Sequence, residues 1–482
     1  MDLEQKTIFV DGQWRVPSSG RTIELVNPTT EERLGSAPWG DEDDVDSAVA
    51  AARRAFREGP WADSSATERA DVLDRLADEV EKRGDELASL VAREIGQPLE
   101  FSRFYNVTAP VGVLRFYAGV ARERPSEEVR PAVFWPGHTV VRREALGVVG
   151  IIVPWNYPQV LAMMKIAPAL AAGCTAVVKP AAESSLDACL LVEAAEAAGL
   201  PAGVLNVVPG GRDTGELLVR HADVDKIAFT GSPVAGRRIA ALCGELLRPV
   251  SLELGGKSAA VILEDADLDT VIDNLTGMSF MNSGQTCFLL SRVLAPRTRY
   301  DEVVDALAEI ARDLIVGDPL DPGTTTGPLV SERQRERVEG YIAVGRADGA
   351  RLVTGGGRPA GLDRGYFVEP TVFADVDNSS RLGREEVFGP VVAVMPYHDE
   401  DEAVALANDS DYGLGGAVYT TDIAHGQDVA RRIETGTIGI NFYAPDANAP
   451  YGGAKTSGLG REYGPEAVDT FQGVKSIFVP AG

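Results

Sequence analysis

The sequence predicts an α/β fold, because short apolar runs alternate with helical stretches from residue 148 onward. Five runs of strand length begin at intervals of roughly 22 to 29 residues, which is the spacing that a strand, a crossover helix and two loops require. Such units predict a parallel, Rossmann-like sheet with helices on both faces. The five strand candidates are residues 148–153, 175–179, 204–208, 226–229 and 250–254.

Helical segments precede and separate these runs. Residues 41–95 are acidic and alanine-rich, and they predict helices ahead of the first strand of the series. Between the second and third runs, Ser184 and Ser185 are N-cap candidates for a helix that ends at Gly199, with Pro201 beyond it. These helices are the connections that a parallel sheet needs.

A second α/β series follows the fifth strand candidate, and we expect a second domain from residue 255 onward. Its helical segments and apolar runs alternate as in the first series, without an internal repeat or a low-complexity linker. The predicted helices are residues 267–278 and 300–315, and the apolar runs are residues 289–294, 386–394 and 436–441.

The composition argues against several classes of protein. Asp and Glu number 72 and Lys and Arg 46, so the formal net charge of -26 would repel a nucleic-acid backbone. The four cysteines form no CxxC motif and the four histidines are scattered, so we expect neither a disulfide framework nor a metal site. A reducing cytoplasm suits such cysteine usage.

No membrane partner is expected either. The most apolar stretch, residues 160–178, is interrupted by Lys165, Pro168 and Gly173, whereas a membrane span needs ~20 largely apolar residues. Residues 1–6 lack the basic start and the apolar core of a signal peptide. We therefore expect a cytoplasmic protein.

Two short polar segments carry the residues best suited to covalent chemistry. Cys287 ends Gly284-Gln285-Thr286-Cys287, and Glu253 begins Glu253-Leu254-Gly255-Gly256-Lys257 at the carboxyl end of a strand candidate, where open α/β sheets bind ligands. A nucleophilic thiol and a carboxylate base can take an aldehyde to an acid through a thioester, provided that a hydride acceptor is near. Taken singly, each residue also fits a plain role, as a packing thiol or a strand-end acid.

Two glycine-containing turns are candidates for binding a phosphate. Residues 226–233 read as a strand, a tight turn and a helix start, with Ser232 as the N-cap and Pro233 at the first helical position. Residues 209–215 offer a second such junction. A helix N-terminus attracts phosphate, but the GxGxxG fingerprint is absent from both turns, so neither alone identifies a nucleotide site.

An ordered set of motifs extends these observations over nearly the whole chain. In this order and combination, the motifs resemble those of the NAD(P)-dependent aldehyde dehydrogenase superfamily. They are Pro154-Trp155-Asn156-Tyr157-Pro158, Lys179-Pro180, Phe229-Thr230-Gly231-Ser232, Glu253-Leu254-Gly255-Gly256-Lys257, Gly284-Gln285-Thr286-Cys287, Glu385-Glu386-Val387-Phe388-Gly389-Pro390, Tyr451-Gly452-Gly453-Ala454-Lys455-Thr456-Ser457-Gly458 and Gly460-Arg461-Glu462.

The resemblance implies a role for each catalytic candidate. Cys287 would attack the aldehyde, and the Asn156 side chain with the Cys287 backbone N–H would hold the resulting oxyanion. After hydride transfer to the nicotinamide, Glu253 would activate the water that releases the acid. Lys165 and Glu462 match positions given a proton-relay role in some members, although an ordinary structural ion pair explains them equally well.

The resemblance also implies a cofactor site for NAD or NADP. The diphosphate would lie near Ser232 and the adenosine ribose near Lys179, while Glu386 would bond the other ribose, with Gln334 and Arg337 as further ribose contacts. The implied cofactor-binding residues are Ile152, Pro154, Trp155, Lys179, Ala182, Glu183, Gly211, Gly215, Phe229, Thr230, Gly231, Ser232, Leu254, Gly255, Gln334, Arg337, Glu386 and Phe388.

One departure from the family pattern concerns the choice of cofactor. Many members have a Glu three residues after the lysine that matches Lys179, and this chain has Ala182 there, followed by Glu183. A carboxylate at that point would repel the 2′-phosphate of NADP. Because Glu183 could reach the ribose from one position later, NAD is favoured and NADP stays open.

The implied substrate tunnel is apolar and aromatic. It contains no arginine that could grip a second carboxylate, so we expect an uncharged aliphatic, aromatic or terpenoid aldehyde. The implied lining residues are Tyr157, Val160, Leu161, Met164, Phe288, Phe442 and Tyr451.

The family pattern divides the chain into three parts. We expect a dinucleotide-binding domain at 1–122 and 146–254, a catalytic domain at 255–455, and a small β ribbon for oligomerisation within 123–145 and 456–482. Residues 138–143 and 474–479 read as strands outside both main sheets, and exposed edges of that kind normally need covering. A homodimer or homotetramer is expected, and a ribbon confined to one chain is the alternative.

Two other functions compete with a hydrolytic aldehyde dehydrogenase. In an acylating enzyme, coenzyme A rather than water would take the acyl group, and Glu253 argues against it. A non-catalytic binding protein could keep the same fold, and the presence of both Cys287 and Glu253 argues against that interpretation.

Overall fold

A computed structural model describes residues 3–481 of the chain, so the expectations for Met1, Asp2 and Gly482 lie outside the described residues. The strands of this part are β1 (Leu3–Glu4), β2 (Ile8–Val10), β3 (Gln13–Arg15), β4 (Thr22–Val26), β5 (Arg33–Pro38), β6 (Glu127–Pro131), β7 (Gly137–Ala145), β8 (Val148–Ile152), β9 (Thr175–Lys179), β10 (Leu205–Val207), β11 (Lys226–Thr230), β12 (Val250–Glu253), β13 (Ala259–Ile262), β14 (Arg292–Pro296), β15 (Arg351–Thr354), β16 (Thr371–Ala374), β17 (Val391–Tyr397), β18 (Tyr412–Gly413), β19 (Gly416–Tyr419), β20 (Gly439–Ile440), β21 (Ala454–Lys455), β22 (Gly458–Leu459) and β23 (Gln472–Pro480).

Helices cover the faces of the sheets. The α-helices are α1 (Glu42–Arg57), α2 (Ala66–Lys82), α3 (Gly84–Ile95), α4 (Leu99–Arg103), α5 (Ala109–Glu123), α6 (Pro158–Ala172), α7 (Asp187–Ala197), α8 (Arg212–Arg220), α9 (Pro233–Glu245), α10 (Leu268–Met278), α11 (Tyr300–Asp313), α12 (Glu332–Ala347), α13 (Arg381–Arg384), α14 (Glu400–Asn408) and α15 (Ile423–Arg431). A π-helical turn covers Phe104–Thr108, and 3-10 turns cover Ala182–Ser184, Met281–Gly284, Arg297–Arg299 and Pro465–Phe471.

The larger main sheet confirms the predicted parallel series. Its order is β22-β12-β11-β8-β9-β10-β2-β3, and each of the five strand candidates overlaps one of β8 to β12. These five strands pair in parallel. The chain passes from β8 to β9 and β10 on one side, and then to β11 and β12 on the other. The strand order therefore reverses between β8 and β11, which is where such sheets open a ligand-binding crevice.

The second main sheet has the order β15-β16-β17-β14-β13-β19-β20, and all its pairs are parallel except the pair formed by β15. The predicted helices at 267–278 and 300–315 are confirmed as α10 and α11. The apolar run at 386–394 is a strand only in its second half, because β17 begins at Val391. Its first half is a loop with Phe388 in the left-handed region at φ 61°.

The expected strands at 138–143 and 474–479 lie in β7 and β23, outside both main sheets. They form an antiparallel three-stranded ribbon in the order β23-β7-β6. The ribbon carries apolar side chains into solvent, since Phe134 is 91%, Val474 70% and Phe478 67% exposed. Such a concentration of exposed large apolar side chains is typical of an interaction surface.

The N-terminus of α7 differs from the prediction that Ser184 or Ser185 caps it. The helix begins at Asp187, and the backbone N–H groups of Leu186 and Asp187 donate to the two Glu94 oxygens at 2.8 and 3.1 Å. The Ser185 hydroxyl instead donates to the Ala181 carbonyl oxygen. A carboxylate from α3 thus replaces the serine cap, because it reaches both free amides at once.

A continuous apolar core joins the two main sheets. One cluster of buried side chains contains Val149 and Ala176 from the first sheet and Ala260 and Val293 from the second. Helix α6 is buried along its whole length and belongs to the same cluster. The carboxyl end of β8 and the start of α6 are therefore held rigidly, and the functional candidates lie at that junction.

Candidate active site

The loop that carries Cys287 is folded back by residues in left-handed conformations. Asn282 and Ser283 have φ values of 51° and 56°, and Gly284 has φ 74°. A side chain at Gly284 would collide with the backbone of Gly389, so a glycine is required there. Left-handed non-glycine residues cost about 1–3 kcal/mol each and persist where the surroundings hold them.

Hydrogen bonds fix this loop against its neighbours. The Gln285 side chain accepts from the Val330 N–H at 3.0 Å and donates to the Asn282 carbonyl oxygen at 3.2 Å. The hydroxyls of Tyr157 and Thr286 lie 2.5 Å apart. Cys287 is thereby presented at one end of a large cleft.

The partly buried Cys287 thiol lies beside an aromatic hydroxyl. Its Sγ is 3.7 Å from the Tyr451 Oη. Burial raises the pKa of the Cys287 thiol to about 12, because the contact with Tyr451 offsets only part of the desolvation and the Glu386 and Glu253 charges add to the rise. The thiol is therefore protonated at neutral pH in the protein alone.

Asn156 reaches the same loop from the junction of β8 and α6. Its Nδ2 donates to the Gln285 carbonyl oxygen at 2.9 Å, two residues before Cys287. Asn156 is 3% exposed and lines the cleft together with Cys287. Since a primary amide has two N–H groups, one remains for a second acceptor.

Glu253 ends β12 and is 4% exposed. Its Oε2 has no hydrogen-bond partner among residues 3–481. Burial raises the pKa of the Glu253 carboxyl well above its ordinary value, and the charge of Glu462 adds to the rise, whereas Lys165 and Arg461 oppose it. A buried carboxyl with a free oxygen and a raised pKa is typical of a general base or acid.

Lys165 and Glu462 meet in the interior next to Glu253. The Lys165 Nζ is 2.7 Å from Glu462 Oε1 and donates to the Thr230 hydroxyl at 2.5 Å. Both side chains are nearly inaccessible, at 0% and 6% exposed. The structure therefore brings together the two residues that the resemblance pairs in a relay.

A cleft of about 790 Å3 runs from the thiol to the N-terminus of α9. At that terminus, Ser232 is the N-cap, its Oγ accepting from the Ala235 N–H at 3.3 Å, and Pro233 is the first helical residue, as predicted. The sequence-predicted residues that line the cleft are Pro154, Trp155, Asn156, Thr230, Gly231, Ser232, Leu254, Gly255, Cys287, Gln334, Arg337, Glu386 and Phe388.

The middle of the cleft is shaped by the loop that precedes β17. The partly buried Glu386 carboxylate accepts from the Gly256 N–H at 3.0 Å, and desolvation raises its pKa to about 7. The rings of Trp155 and Phe388 lie edge to face with centroids 5.5 Å apart. A Cβ at Gly255 would lie 2.5 Å from Glu386 Oε2, so the absence of a side chain there leaves room for the carboxylate.

Gln334 and Arg337 make contacts that the resemblance did not imply. The Gln334 side chain donates to the Phe388 carbonyl oxygen at 2.7 Å. Arg337 donates to the carbonyl oxygens of Glu386 and Val387 at 2.6 and 3.1 Å. Although both residues line the cleft, the contacts described hold the main chain that carries Glu386 and Phe388.

The remaining cofactor candidates gather at the carboxyl ends of β8 and β9. The Lys179 Nζ donates to the Gly210 carbonyl oxygen at 2.8 Å, and burial lowers the pKa of its ammonium to about 8. A Cβ built at Gly215 would have Lys179 and Ile152 as its nearest neighbours. The candidates that are not among the described lining residues of the cleft are Ile152, Lys179, Ala182, Glu183, Gly211, Gly215 and Phe229.

Glu183 has a partner that the sequence did not reveal. Its carboxylate lies 3.4 Å from the Arg333 guanidinium, whose side chain is 83% exposed. Ala182 and Glu183 both belong to the short 3-10 turn before α7. Because Arg333 is 150 positions away in the sequence, no local pattern pointed to this pair.

The substrate candidates fall into two groups. Tyr157, Val160, Leu161 and Met164 are buried at the start of α6, and Phe288 and Tyr451 are buried with ring centroids 6.4 Å apart. Phe442 is 59% exposed. Its neighbour Tyr443, which was not among the candidates, packs against Phe288 at 5.6 Å.

Two more aromatic residues were missed at the other side of Tyr157. The Tyr105 and Phe101 rings lie 4.8 and 6.1 Å from its ring. The aromatic-rich run Phe101-Ser102-Arg103-Phe104-Tyr105 was the available signal. Phe101 and Tyr105 therefore enlarge the aromatic surroundings of Tyr157, whose hydroxyl contacts Thr286 in the loop that carries Cys287.

Two kinds of feature are absent from residues 3–481. No three His, Cys, Asp or Glu side chains in this part are grouped so that they could hold a metal ion. None of its helices combines the length and the apolar character that crossing a bilayer requires.

Comparison with known proteins identifies the family. A model of the aldehyde dehydrogenase family matches residues 14–477. The geranial dehydrogenase of Castellaniella defragrans is 53% identical over 479 residues, which cover 99% of this chain and 100% of that protein.

Solved structures agree with this match. The crystal structure of a Mycobacterium tuberculosis aldehyde dehydrogenase complexed with NAD+ is 49% identical, with a TM-score of 0.98 over 100% of this chain and 99% of that one. A second crystal structure is that of a cysteine-to-alanine mutant of aldehyde dehydrogenase C from Pseudomonas syringae, complexed with NAD+ and octanal. It is 38% identical to this chain, with a TM-score of 0.96 over 99% of this chain and 98% of that one. The chain thus belongs to the aldehyde dehydrogenase family, and it is an oxidoreductase that converts an aldehyde to the carboxylic acid with a nicotinamide cofactor.

Proposed function

We propose that Cys287 is the nucleophile of this reaction and Glu253 the base that activates water. The observation that carries the proposal is the convergence on one cleft, and next to it, of a thiol, a free amide N–H and a buried carboxyl with an unpartnered oxygen. The Cys287 thiol gives its proton to solvent, and attack of the resulting thiolate on the aldehyde carbon gives a thiohemiacetal, whose oxyanion the Asn156 amide stabilises. Glu253 later deprotonates the water that hydrolyses the thioester.

The cleft suits a dinucleotide. Its lining holds three arginines and three acidic residues, so it is less acidic than the protein as a whole, and the N-terminus of α9 offers free amides to a diphosphate. Ser232 would hold the diphosphate, and Glu386 and Phe388 would hold the nicotinamide half. When bound, NAD+ supplies the acceptor for the hydride of the thiohemiacetal carbon.

Lys165 and Glu462 are proposed to carry the proton away from Glu253. Both are buried, and both charges act on the Glu253 carboxyl, which must lose its proton before it can serve as a base. Burial of the whole group excludes bulk water, so an internal path is needed.

The proposed roles are tested by comparing single-turnover and steady-state production of reduced cofactor. Glu253→Gln should keep a burst of about one equivalent of reduced cofactor and lose about 10²- to 10⁴-fold in steady-state rate, because hydrolysis of the thioester fails. Cys287→Ser should lose both phases. The matched control is Cys174→Ser, which removes a buried thiol outside the cleft and should keep turnover.

Acid formation without coenzyme A would exclude the acylating alternative. Full steady-state turnover in Glu253→Gln would overturn its role as the base. Unchanged turnover in Cys287→Ser would overturn the role of Cys287 as the nucleophile and favour a non-catalytic role for this cleft.

We propose NAD as the preferred cofactor. The Glu183 carboxylate follows Ala182 at the carboxyl ends of β8 and β9, where the adenosine ribose is expected, and it would repel a 2′-phosphate. Relatives solved with NAD+ support this preference.

The proposed substrate is an uncharged, largely apolar aldehyde. The side chains near the thiol that carry this proposal are Tyr105, Tyr157, Phe288, Tyr443 and Tyr451, which are aromatic rather than cationic. A geranial dehydrogenase and a structure containing octanal among the relatives support a long apolar substrate. In a panel of aldehydes, kcat/KM should be greater for octanal and geranial than for succinic semialdehyde, and the reverse order would overturn the proposal.

We also propose that the ribbon formed by β6, β7 and β23 joins subunits into a homodimer or homotetramer, in a reducing cytoplasm. The exposed apolar side chains of the ribbon support association, and none of the four cysteines, all of which are described, is in a disulfide. Light scattering should give two or four times 51.2 kDa, and a monomer mass would overturn the proposed assembly.

We propose that the chain is divided into the domains that the family pattern implies. The two main sheets support a dinucleotide-binding domain at 1–122 and 146–254 and a catalytic domain at 255–455, with arms at 123–145 and 456–482. Strand β22, which belongs to the second arm, pairs with β12 of the first sheet, so this arm would also complete the site.

A further inference from the structure

Two buried amide side chains, those of Gln97 and Asn106, link the Asn156 main chain to the main chain of Gln159, whose own side chain bonds Asp187 instead. Gln97 follows the C-terminus of α3, Asn106 lies in the π-helical turn Phe104–Thr108, and Gln159 lies in the first turn of α6. Gln97 and Asn106 are 0% exposed and Gln159 is 1% exposed. None of the three takes part in the proposed chemistry.

The bonds run in sequence from one amide to the next. Asn106 Nδ2 donates to Gln97 Oε1 at 2.7 Å, and Gln97 Nε2 donates to the Asn156 main-chain oxygen at 3.4 Å. Asn106 Oδ1 accepts from the Gln159 N–H at 3.4 Å. On its other side, the Asn156 oxygen accepts from Asn282 Nδ2 at 3.0 Å.

These contacts clamp a peptide group that has no partner in regular structure. Asn156 lies between the end of β8 and the start of α6, so its carbonyl belongs to neither a sheet ladder nor a helix. The donors come from two separate elements, the segment after α3 and the loop that carries Cys287. The Asn156 main chain is therefore fixed from both sides, and with it the direction in which its side chain leaves.

Packing alone does not require such a network. Burying a primary amide is costly unless its groups are bonded, and an apolar side chain of similar volume would fill the same space. Here every side-chain nitrogen and oxygen of Gln97 and Asn106 has a partner, and fully satisfied buried networks hold one geometry. The widened π turn that contains Asn106 is itself a feature found at functional sites.

We propose that Gln97 and Asn106 are positioning residues, which hold the Asn156 amide where an oxyanion on Cys287 can accept from it. This inference rests on the proposed oxyanion role of Asn156. One N–H of that amide is already held by the Gln285 carbonyl oxygen, so a small rotation of the Asn156 main chain would misdirect the other. The cost would fall on the transition state rather than on binding of the aldehyde.

The test uses Gln97→Met, which keeps length and removes the amide, and Asn106→Leu as a second variant at another point of the network. Each should lower kcat about tenfold while KM for the aldehyde changes less than about twofold, because an oxyanion contact acts in the transition state. Asn206→Leu is the matched control, since Asn206 is an equally buried amide that bonds backbone carbonyls of another region. It should lower the unfolding temperature and leave kcat unchanged.

A double variant separates positioning from general damage. In the background of Asn156→Ala, Gln97→Met should change kcat less than about twofold, because the amide through which it acts is gone. Independent, multiplying losses would overturn the positioning role, as would an unchanged kcat in both single variants. If Asn156→Ala itself keeps kcat, the oxyanion role fails instead, so the two failures are distinguishable.

Discussion

The two ends of the proposed dinucleotide site are built differently. The inner site is defined by the buried side chains of Asn156 and Glu253 and the partly buried side chains of Cys287 and Glu386. The outer group, defined by Lys179, Glu183, Gly215 and Arg333, ends in an ion pair whose members are 30% and 83% exposed. We thus assign the chemistry to the inner site and recognition of the cofactor's far end to the more exposed outer group.

This difference indicates how the reaction rate and the preference between cofactors can change independently. Groups at the inner site have their pKa values raised by burial, so their protonation states depend on everything packed around them. An exposed ion pair is worth only about 0.2–1 kcal/mol and is screened by salt. Substitutions at the inner site should therefore change rate, and those in the outer group should change preference between cofactors.

The largest expected effect concerns the Cys287 thiol. Because its pKa is raised to about 12, the thiolate fraction, and with it the rate of alkylation by iodoacetamide, should rise about tenfold per pH unit between pH 7 and 10. The nicotinamide ring of NAD+ is cationic. A saturating concentration of NAD+ should therefore favour the Cys287 thiolate and speed its alkylation at pH 7.

The alkylation rate is measured by mass spectrometry of the Cys287 peptide, with Cys287→Ser identifying labelling of other cysteines. A rate that reaches a plateau near pH 8.5 without cofactor would show an ordinary thiol and would remove the contrast between the two ends. A rate that does not respond to NAD+ would contradict coupling between cofactor binding and activation.

A smaller effect is expected where the inner site is held by its supports. Gln334→Leu removes the donor to the Phe388 carbonyl oxygen and should lower kcat about tenfold and raise KM for NAD+, because the loop that carries Glu386 and Phe388 loosens. The nearby Glu336→Gln, on the same helix α12, is the control and should leave both constants unchanged. Equal constants for Gln334→Leu and the parent would show that the loop needs no such support.

The smallest effect is expected in the outer group. Glu183→Ala should raise the ratio of kcat/KM for NADP+ to that for NAD+ by about three- to tenfold and leave kcat with NAD+ nearly unchanged, because a carboxylate that repels the 2′-phosphate is lost. Arg333→Ala is the companion variant, and it should lower that ratio, since Glu183 then keeps its full charge. A large fall in kcat for Glu183→Ala would erase the distinction between the two ends.

Much of the fold could be predicted because apolar periodicity is a local property. The strands β8 to β12 and the helices α10 and α11 lie where the runs of apolar residues placed them. The start of β17 could not be located in the same way, since Phe388 adopts a left-handed conformation and Pro390 interrupts the run. The cap of α7 was also beyond local reasoning, because its acceptor, Glu94, is 92 positions before Leu186.

The candidate site shows the same division. Cys287, Glu253 and Asn156 could be chosen from short motifs, and in the structure Cys287 and Asn156 line one cleft while the Glu253 charge acts on the thiol. The bonds of Gln97, Gln334 and Arg337 to distant carbonyl oxygens left no motif, because any residue can supply a main-chain acceptor. Resemblance gave Gln334 and Arg337 a contact with the ribose, whereas the described contacts are with the protein itself.

The pairing of β22 with β12 has a consequence for how the enzyme is made. Leu252 and Glu253 lie opposite Leu459 and Gly458, across more than two hundred positions of sequence. A ribosome must therefore have translated at least as far as Leu459 before the Glu253 carboxyl reaches its final surroundings. Nascent chains that end between Cys287 and Leu459 hold the thiol without these surroundings, so we expect activity only once nearly the whole chain has been made.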